Sequence, residues 1–565
     1  VAVQGDGTAP PPGARAAGLV LGKDDAHPLD FWVGVGDDSY LQLDDVVSVR
    51  TEVPGRGEIT LYGVVDLVRS RHEGAHFDSD VFLEAQGILP LGVATAAHVA
   101  VTRIEPEIFV PPRPGQEVFR ASGSELEAAL YFDRMQRRFV AGLTREGERL
   151  YGNLDFLDGS RGAHVNISGI SGVATKTSCA LFLLYSLFHS DALGPTRHNA
   201  RAVIFNVKGE DLLFVDKQNA RLPDEEAEKY GRLGLPCGPF QDVALWAPVS
   251  KDSFEIVHGA ASRQEGITPY VWSLREFCQQ RLLRFLFAEA DTETSQLSFA
   301  VAVAERYLLD QTAGQPASQT WVELDGARIT TFDELVEHIT ANADNVFARG
   351  HVAEATRGAF LRRLRAAADR AGHLIRRLDS ADEERRHRID WQSRQLNVID
   401  IHTLHDTAKR FVVGVILKQL LEDKDKHGQR EPLTFVVLDE LNKYAPRDGW
   451  SPIKEVVLDI AERGRSLGVI LIGAQQTASE VERRVVANAS YRIVGRLDAA
   501  EAERSEYGFL TQAARARASL LKPGAMFMHQ PEIPVPLLLQ FPFPAWATRP
   551  EEVAPPTGVP KGFTR

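Results

Sequence analysis

Cysteine is scarce in this 565-residue chain. Cys179, Cys237 and Cys278 are scattered and odd in number. They have neither the paired spacing of a zinc ligand set nor the even count of a disulfide framework, so neither device organises the fold. A reducing, cytoplasmic setting is expected. Long apolar runs are also missing. None approaches the ~18 residues of a membrane span, and the opening "VAVQGDGTAPPPGARAAG" contains no apolar signal segment. Residues 1–17 are accordingly expected to form a disordered leader. Net positive charge is lacking too: 64 Lys and Arg stand against 77 Asp and Glu, a net charge of -13. That excludes a surface coating nucleic acid everywhere, because such binding rests on Lys and Arg neutralising phosphates, but leaves a local basic channel open. There is no internal repeat and no long low-complexity tract.

What is present is an ordinary globular composition, 44% hydrophobic and 25% charged. The length suits about three or four domains. From residue 18 to about 105 the runs "DFWVGV", "DVVSVRTEV", "GEITLYGVVDLV" and "ILPLGVATAAHVAVTRI" are β-branched and aromatic, separated by Gly, Pro and Asp. They predict a small β-barrel over 18–110. "EIFVPPRPGQE" ends it, since Pro and Gly so closely set cannot continue a sheet. Ser124 with Glu127 three residues on predicts a capping box ahead of a helix, "LEAALYFDRMQRRFVAGL".

Further on, short wholly apolar strands alternate with helices: "AHVNI", "AVIFNV", "LNVIDI", "TFVVL" and "VILIG". Strands apolar on both faces predict a parallel sheet between helix layers, an α/β core over 120–269 and 391–545. Between its halves, 270–390 is polar and helical, an insertion. Within it, residues 357–377 hold seven arginines and one acid, Asp369. These make either a solvated helical face or a contact with nucleic acid or a partner. Residues 546–565 form a C-terminal tail.

The chemistry concentrates at strand ends. "NISGISGVATKTSCALFLL" lies between an apolar strand and an amphipathic helix, the place of a phosphate-binding loop. Free backbone N–H groups at a helix start, a lysine and a hydroxyl are what a nucleotide's phosphates and magnesium need. Gly169 and Gly172 allow close backbone approach, Lys176 brings the charge and Thr177 the hydroxyl. The site would span Gly169, Gly172, Val173, Ala174, Thr175, Lys176, Thr177 and Ser178; the bland alternative is a plain strand-to-helix turn. Downstream, "LTFVVLDELNKYAP" ends an apolar strand in Asp439-Glu440, the arrangement in which one carboxylate holds the magnesium shell and the next polarises the attacking water. "ERGRSLGVILIGAQQTASEV" follows, its strand ending in Gln475-Gln476, where a glutamine such as Gln476 senses the γ-phosphate.

In this order, "GISGVATKT", "VVLDELNKYAP", "ERGRSLGVILIGAQQTASEV" and "VVANASYRIVGRL" resemble the HerA branch of the HerA/FtsK ATPases. The resemblance covers most of the chain, since that family also carries an N-terminal barrel and a helical insertion. It implies a RecA-like P-loop core and a homo-hexamer that spends ATP, with Mg2+, on moving double-stranded DNA through its pore beside a NurA-type nuclease in DNA end processing and repair. It also implies that Arg465 reaches a neighbouring subunit's site, with Arg161 and Arg496 as competitors, or else that Arg465 is a solvated helix-end residue. Two departures stand out. "GISGVATK" is one residue longer than the family's usual loop, with Thr175 where a glycine precedes the lysine. "IFNVKGED" stands where relatives show an Asp-Pro-His-Gly-Glu-like stretch: Asn206 replaces the acid, and Gly209 and Glu210 remain, the latter organising the site or a structural turn. An alternative stays open: a hexameric ATPase scaffold for an effector enzyme, such as a sirtuin-type or nuclease subunit, in antiviral defence. A conjugation-type secretion ATPase is a third reading, which the lack of a membrane anchor argues against.

Overall fold

Six strands, Gly18–Val20 (β1), Asp30–Val35 (β2), Val46–Val53 (β3), Gly57–Glu73 (β4), Gly92–Glu105 (β5) and Glu117–Arg120 (β6), close into a barrel in the order β1-β2-β5-β4-β3-β6. Phe31 and Val33, Val47 and Val49, and Ile59 and Leu61 alternate inward and are buried, as a period of two requires. Closure comes from antiparallel pairing of β1 with β6, Gly18 opposite Val118, so the two end strands satisfy each other's backbone groups. A short helix, Asp80–Ala85 (α1), interrupts the chain between β4 and β5.

The computed structural model describes residues 15–170, 175–253, 255–287, 295–316, 319 and 321–553. It forms two units: Val1–Arg138 with Tyr151–Asn153 and Asp498–Leu539, and Phe139–Leu150 with Leu154–Leu497 and Gln540–Arg565. Residues 498–539 thus cluster with the barrel, although the sequence pattern assigned them to the α/β core. Of the leader, 1–14 lie outside the described residues, while Ala17 is buried and donates its N–H to the Val118 carbonyl at 2.8 Å.

The helix expected after Ser124 is a correction. Only Ser124–Ala129 (α2) is α-helical there, with a single 3-10 turn at Phe132–Arg134 after it; its N-cap is Gly123, and neither half of the Ser124–Glu127 box forms. Tyr131 turns the chain with φ of 60°, and Arg138–Leu143 (β7) is a strand, followed by Arg149–Asn153 (β8). Phe139, Ala141 and Leu143 are buried at a period of two, and that burial outweighs the helix propensity of "LEAALYFDRM".

The second unit carries the parallel sheet. Its strands are Val165–Ser168 (β9), Arg201–Asn206 (β10), Val243–Pro248 (β11), Ile267–Tyr270 (β12), Leu396–Asp400 (β15), Thr434–Asp439 (β16), Val469–Gln475 (β17) and Tyr491–Val494 (β18), with a separate small pair, Val322–Leu324 (β13) and Ala327–Ile329 (β14), within the insertion. They run β12-β11-β15-β10-β16-β17-β9-β18, every neighbouring pair parallel. Every residue of β15, β16 and β17 is buried, because helices cover both faces. The register sets Asn206 opposite Asp400, Asp439 opposite Ala474 and Gln475 opposite Ser168. The carboxyl ends of β15, β10, β16, β17 and β9 therefore share one edge, where ligands of open parallel sheets bind.

The α-helices of this unit among the described residues are Thr175–His189 (α3), Asp224–Leu233 (α4), Leu274–Gln279 (α5), Gln296–Thr312 (α6), Phe332–Ala341 (α7), Ala343–Phe347 (α8), Glu354–Ala371 (α9), Ala381–His387 (α10), Asp406–His427 (α11), Pro452–Leu467 (α12) and Arg483–Ala487 (α13). The helical segment from α5 to α10 has no core of its own: Phe277, Phe332, Phe360 and Leu364 belong to one apolar cluster with Phe411 of α11, Val457 of α12 and Val436 of β16. The tail starts as packed structure, since Trp546 is buried against Tyr185 and Phe240, and 554–565 lie outside the described residues. Among the described residues no helix is long and apolar enough to cross a membrane.

Candidate active site

β9 delivers the chain to the shared edge and α3 carries it away. Gly169 donates its N–H to the Gln475 carbonyl at 3.2 Å, and Ile170 donates to the Arg496 carbonyl at 2.7 Å. The start of the loop is thereby pinned between the ends of β17 and β18. Gly172, Val173 and Ala174 lie outside the described residues. Thr175 opens α3, so the unpaired N–H groups of a 15-residue helix face the loop. Lys176 is only 4% exposed and its Nζ donates to the Gly169 carbonyl at 2.7 Å. Burial, and secondarily the charge of Lys208, hold its amine below 10.5. Thr177 Oγ1 donates to Asp439 Oδ2 at 2.9 Å across 262 residues of sequence. Ser178 follows, half-buried.

Asp439 and Glu440 end β16 beside that helix start. Glu440 sits in the left-handed region, φ 57° and ψ 46°, and its N–H donates to Asp439 Oδ1 at 2.9 Å. A side-chain-bearing residue pays about 1–2 kcal/mol to stand so. In return the strand stops dead, a turn over Leu441–Lys443 takes the chain away, and both carboxylates stay at the edge. Gly473 of β17 makes room for this turn, because a Cβ there would lie 2.4 Å from Leu441 Cδ2.

A third element enters that the motif reading did not assign. Lys208, two residues beyond β10, sets its Nζ 3.1 Å from Asp439 Oδ2 and 2.8 Å from Glu440 Oε1. Burial works to raise the Glu440 carboxyl, but the Lys208 hydrogen bond and charge prevail and hold it below 4.5. Burial likewise works to lower the Lys208 amine, and Asp439 and Glu440 together hold it above 10.5. The signal was an apolar strand, "AVIFNV", followed at once by lysine. What it lacked was the knowledge that β10 and β16 are neighbours.

The donors present suit a magnesium ion. A hydroxyl and a carboxylate oxygen, Thr177 Oγ1 and Asp439 Oδ2, are hard ligands side by side, and Mg2+ takes one or two such groups and completes its shell with phosphate oxygens and water. Lys208 competes for the same Asp439 oxygen.

The paired charges make stability pH-dependent in a definite direction. The depressed Glu440 contributes stability above 4.5 that is lost as pH falls through its folded value. The raised Lys208 contributes stability below 10.5 that is lost as pH rises through its folded value. Lys208→Met should therefore lower Tm by roughly 2–4 °C at neutral pH, a modest effect because the amine is half-exposed. The difference from the parent should shrink as pH drops below the carboxylate range. A Tm gap of equal size at neutral and acid pH, in paired thermal melts, would contradict the ion-pair origin.

The remaining expected residues divide by edge. Gln475 is fully buried and donates to Asn166 Oδ1 at 2.9 Å and Ser168 Oγ at 3.0 Å, whereas Gln476 is exposed just past the strand end. Arg496, exposed, follows β18 with its carbonyl against the loop start of its own chain. Arg465 and Arg161 stand at the opposite edge. Arg465, in the last turn of α12 before β17, donates to the carbonyls of Gly159 and Ser160 at 3.0 and 2.9 Å, and Arg161 lies over the Phe156 ring before β9. Neither is near its own chain's Asp439. Glu210 accepts from the N–H groups of Ala261 and Ser262 at 2.7 and 2.6 Å and so holds a neighbouring loop, the structural-turn alternative. Asn206, in the acid's place, donates to Asp400 Oδ1 at 2.9 Å, and the buried Asp400 in turn pairs with His402.

No protein family matches the chain, and no curated protein does. Solved structures match it at low identity. VirB4 of Thermoanaerobacter pseudethanolicus is 17% identical over 71% of this chain and 96% of its own, with a TM-score of 0.43. The plasmid coupling protein TrwB, in complex with ADP and Mg2+, is 14% identical over 76% of this chain and 95% of its own, with a TM-score of 0.40. The genome packaging NTPase B204 from Sulfolobus turreted icosahedral virus 2, in complex with ATP-gammaS, is 13% identical over 26% of this chain and 68% of its own, with a TM-score of 0.20.

Proposed function

We propose that this chain, which has the RecA-like P-loop ATPase fold of the HerA/FtsK superfamily, hydrolyses ATP with Mg2+ to move double-stranded DNA. One observation carries the reading: the helix-start pair Lys176-Thr177 and the strand-end pair Asp439-Glu440 converge, with Thr177 bonded to Asp439. In this reading the backbone of Gly169, Gly172, Val173, Ala174 and Thr175, with Ser178, surrounds the phosphates, and Lys176 reaches the terminal ones. Thr177 and Asp439 hold the metal. Glu440 orients the attacking water, and exposed Gln476 meets the γ-phosphate. Arg465, on the edge away from its own site, is suited to serve a neighbouring subunit of a hexameric ring. A NurA-type nuclease is the partner that fits end processing.

Turnover measured with and without duplex DNA tests the motor. Duplex should raise ATP turnover, alone or with the partner, and the increase should fade with salt as phosphate contacts give way to counterions. Hydrolysis indifferent to DNA in both preparations would instead favour an ATPase scaffold for an effector enzyme in antiviral defence.

A further inference from the structure

The seven arginines of 357–377 are not equivalent. Arg357 pairs with Asp344 at 2.7 Å, Arg377 with Asp379 at 3.5 Å, and Arg376 donates to the carbonyls of His373, Ser250 and Ser253. Arg362, Arg363, Arg365 and Arg370 are exposed on α9 and meet no carboxylate among the described residues. Four uncompensated guanidiniums within nine residues are unexpected on a chain of net charge -13. No described carboxylate supplies the anion they call for.

Where they point is defined by geometry. Arg363 and Arg370 are two helical turns apart, about 10 Å along one face of α9, with Ala366 and Ala367 between them. Thr407 and Arg410, from the first turns of the 22-residue α11, stand across from them. These side chains line a cavity of about 130 Å³ whose wall, among the described residues, contains no carboxylate. Guanidiniums from two helices and the positive end of a long helix converge there, over an alanine floor that lets a ligand oxygen approach closely. The cavity is smaller than the ~300–1,000 Å³ of a small-molecule pocket, so it suits one group of a larger molecule. Arg362 and Arg365 extend the positive stripe beyond the cleft, which suits a polyanion.

We infer that the cleft between α9 and α11 holds a backbone phosphate of DNA, with Arg363, Arg370 and Arg410 as its ligands. This rests on the proposed DNA-handling function and assigns it a contact surface. α11 follows β15, so the cleft opens on the same edge as Asp439 and Glu440.

The test uses the full chain and a fluorescein-labelled duplex, with anisotropy titrations over a range of salt. Arg363→Gln/Arg370→Gln should weaken binding about tenfold or more and reduce the slope of log K against log[salt] by about 1.8, two contacts at ~0.9 each. Arg377→Gln, which breaks an ion pair outside the cleft, should leave both unchanged. Basal ATPase without DNA, read on the same samples, should match the parent in all variants. Parental affinity and salt slope in the double variant would overturn the cleft, as would a parent that binds no duplex. Parental basal turnover in either case leaves the ATPase reading standing, and a parent without turnover fails that reading alone.

Discussion

Lys176→Ala is expected to abolish ATP turnover, by at least about 10²–10³-fold, while the protein keeps its fold. Lys176 is the ammonium that α3 itself brings to the loop, and removing a preorganised donor to developing phosphate charge costs roughly 3–4 kcal/mol of barrier. The fold should survive because only one side chain's polar contacts are lost, the Nζ bond to the Gly169 carbonyl among them, and the chain is relieved of a buried cation whose amine is already held below 10.5. Phosphate release and circular dichroism on the purified variant check both halves. Unchanged turnover would remove Lys176 from the site. The same variant probes Arg465. Arg465→Ala subunits keep their own loop and Lys176→Ala subunits keep their arginine, so a mixed ring should regain basal turnover that neither shows alone. No recovery, with subunit exchange verified by label, would move the trans role to Arg161, which shares the edge of Arg465, before Arg496, which lies beside its own loop.

Glu440→Gln should keep nucleotide and lose hydrolysis, by about 10²–10⁴-fold, the usual contribution of a positioned general base. The substitution preserves shape in a position that is 9% exposed and already in the left-handed region. Asp439 keeps both Thr177 and Lys208, at 2.9 and 3.1 Å, so the metal-binding corner stays assembled. Binding of a labelled ATP analogue, measured beside turnover, separates the two functions. Nucleotide binding lost to the degree seen in Lys176→Ala would contradict the division of labour between Asp439 and Glu440.

Local pattern made much of the architecture legible. Apolar runs such as "TFVVL" and "VILIG" announce strands buried on both faces, because no half-exposed strand tolerates that composition, and they are β16 and β17. Strand ends are equally visible: an acid pair after "VVL" and a Lys-Thr pair at the head of an apolar helix mark where chains emerge from a sheet. The failure after Ser124 has a local cause as well. Helix propensity and the Ser-x-x-Glu spacing agreed over "SELEAALYFDRM", but the buried alternation of Phe139, Ala141 and Leu143 is a sheet contribution that no short-range signal weighs against them.

Sequence by itself determined which residues sit at strand and helix ends, since hydrophobic periodicity and breaks in it act over a few residues. It therefore specified Lys176-Thr177 and Asp439-Glu440 as chemistry-bearing termini, and the barrel and α/β classes on either side of residue 110. Only the tertiary structure decided which termini meet. β10 lies between β15 and β16, and that placement brings Lys208 to Glu440 and Asn206 to Asp400. Parallel register separates Gln476 from Arg465 by the length of β17, seven residues, and so sets the arginine on the far edge from its own site. Helix packing faces Arg363 and Arg370 toward Arg410 across the cleft. Strand order, register and helix packing arise from contacts hundreds of residues apart, and a one-dimensional pattern carries the identity of those residues without their distances.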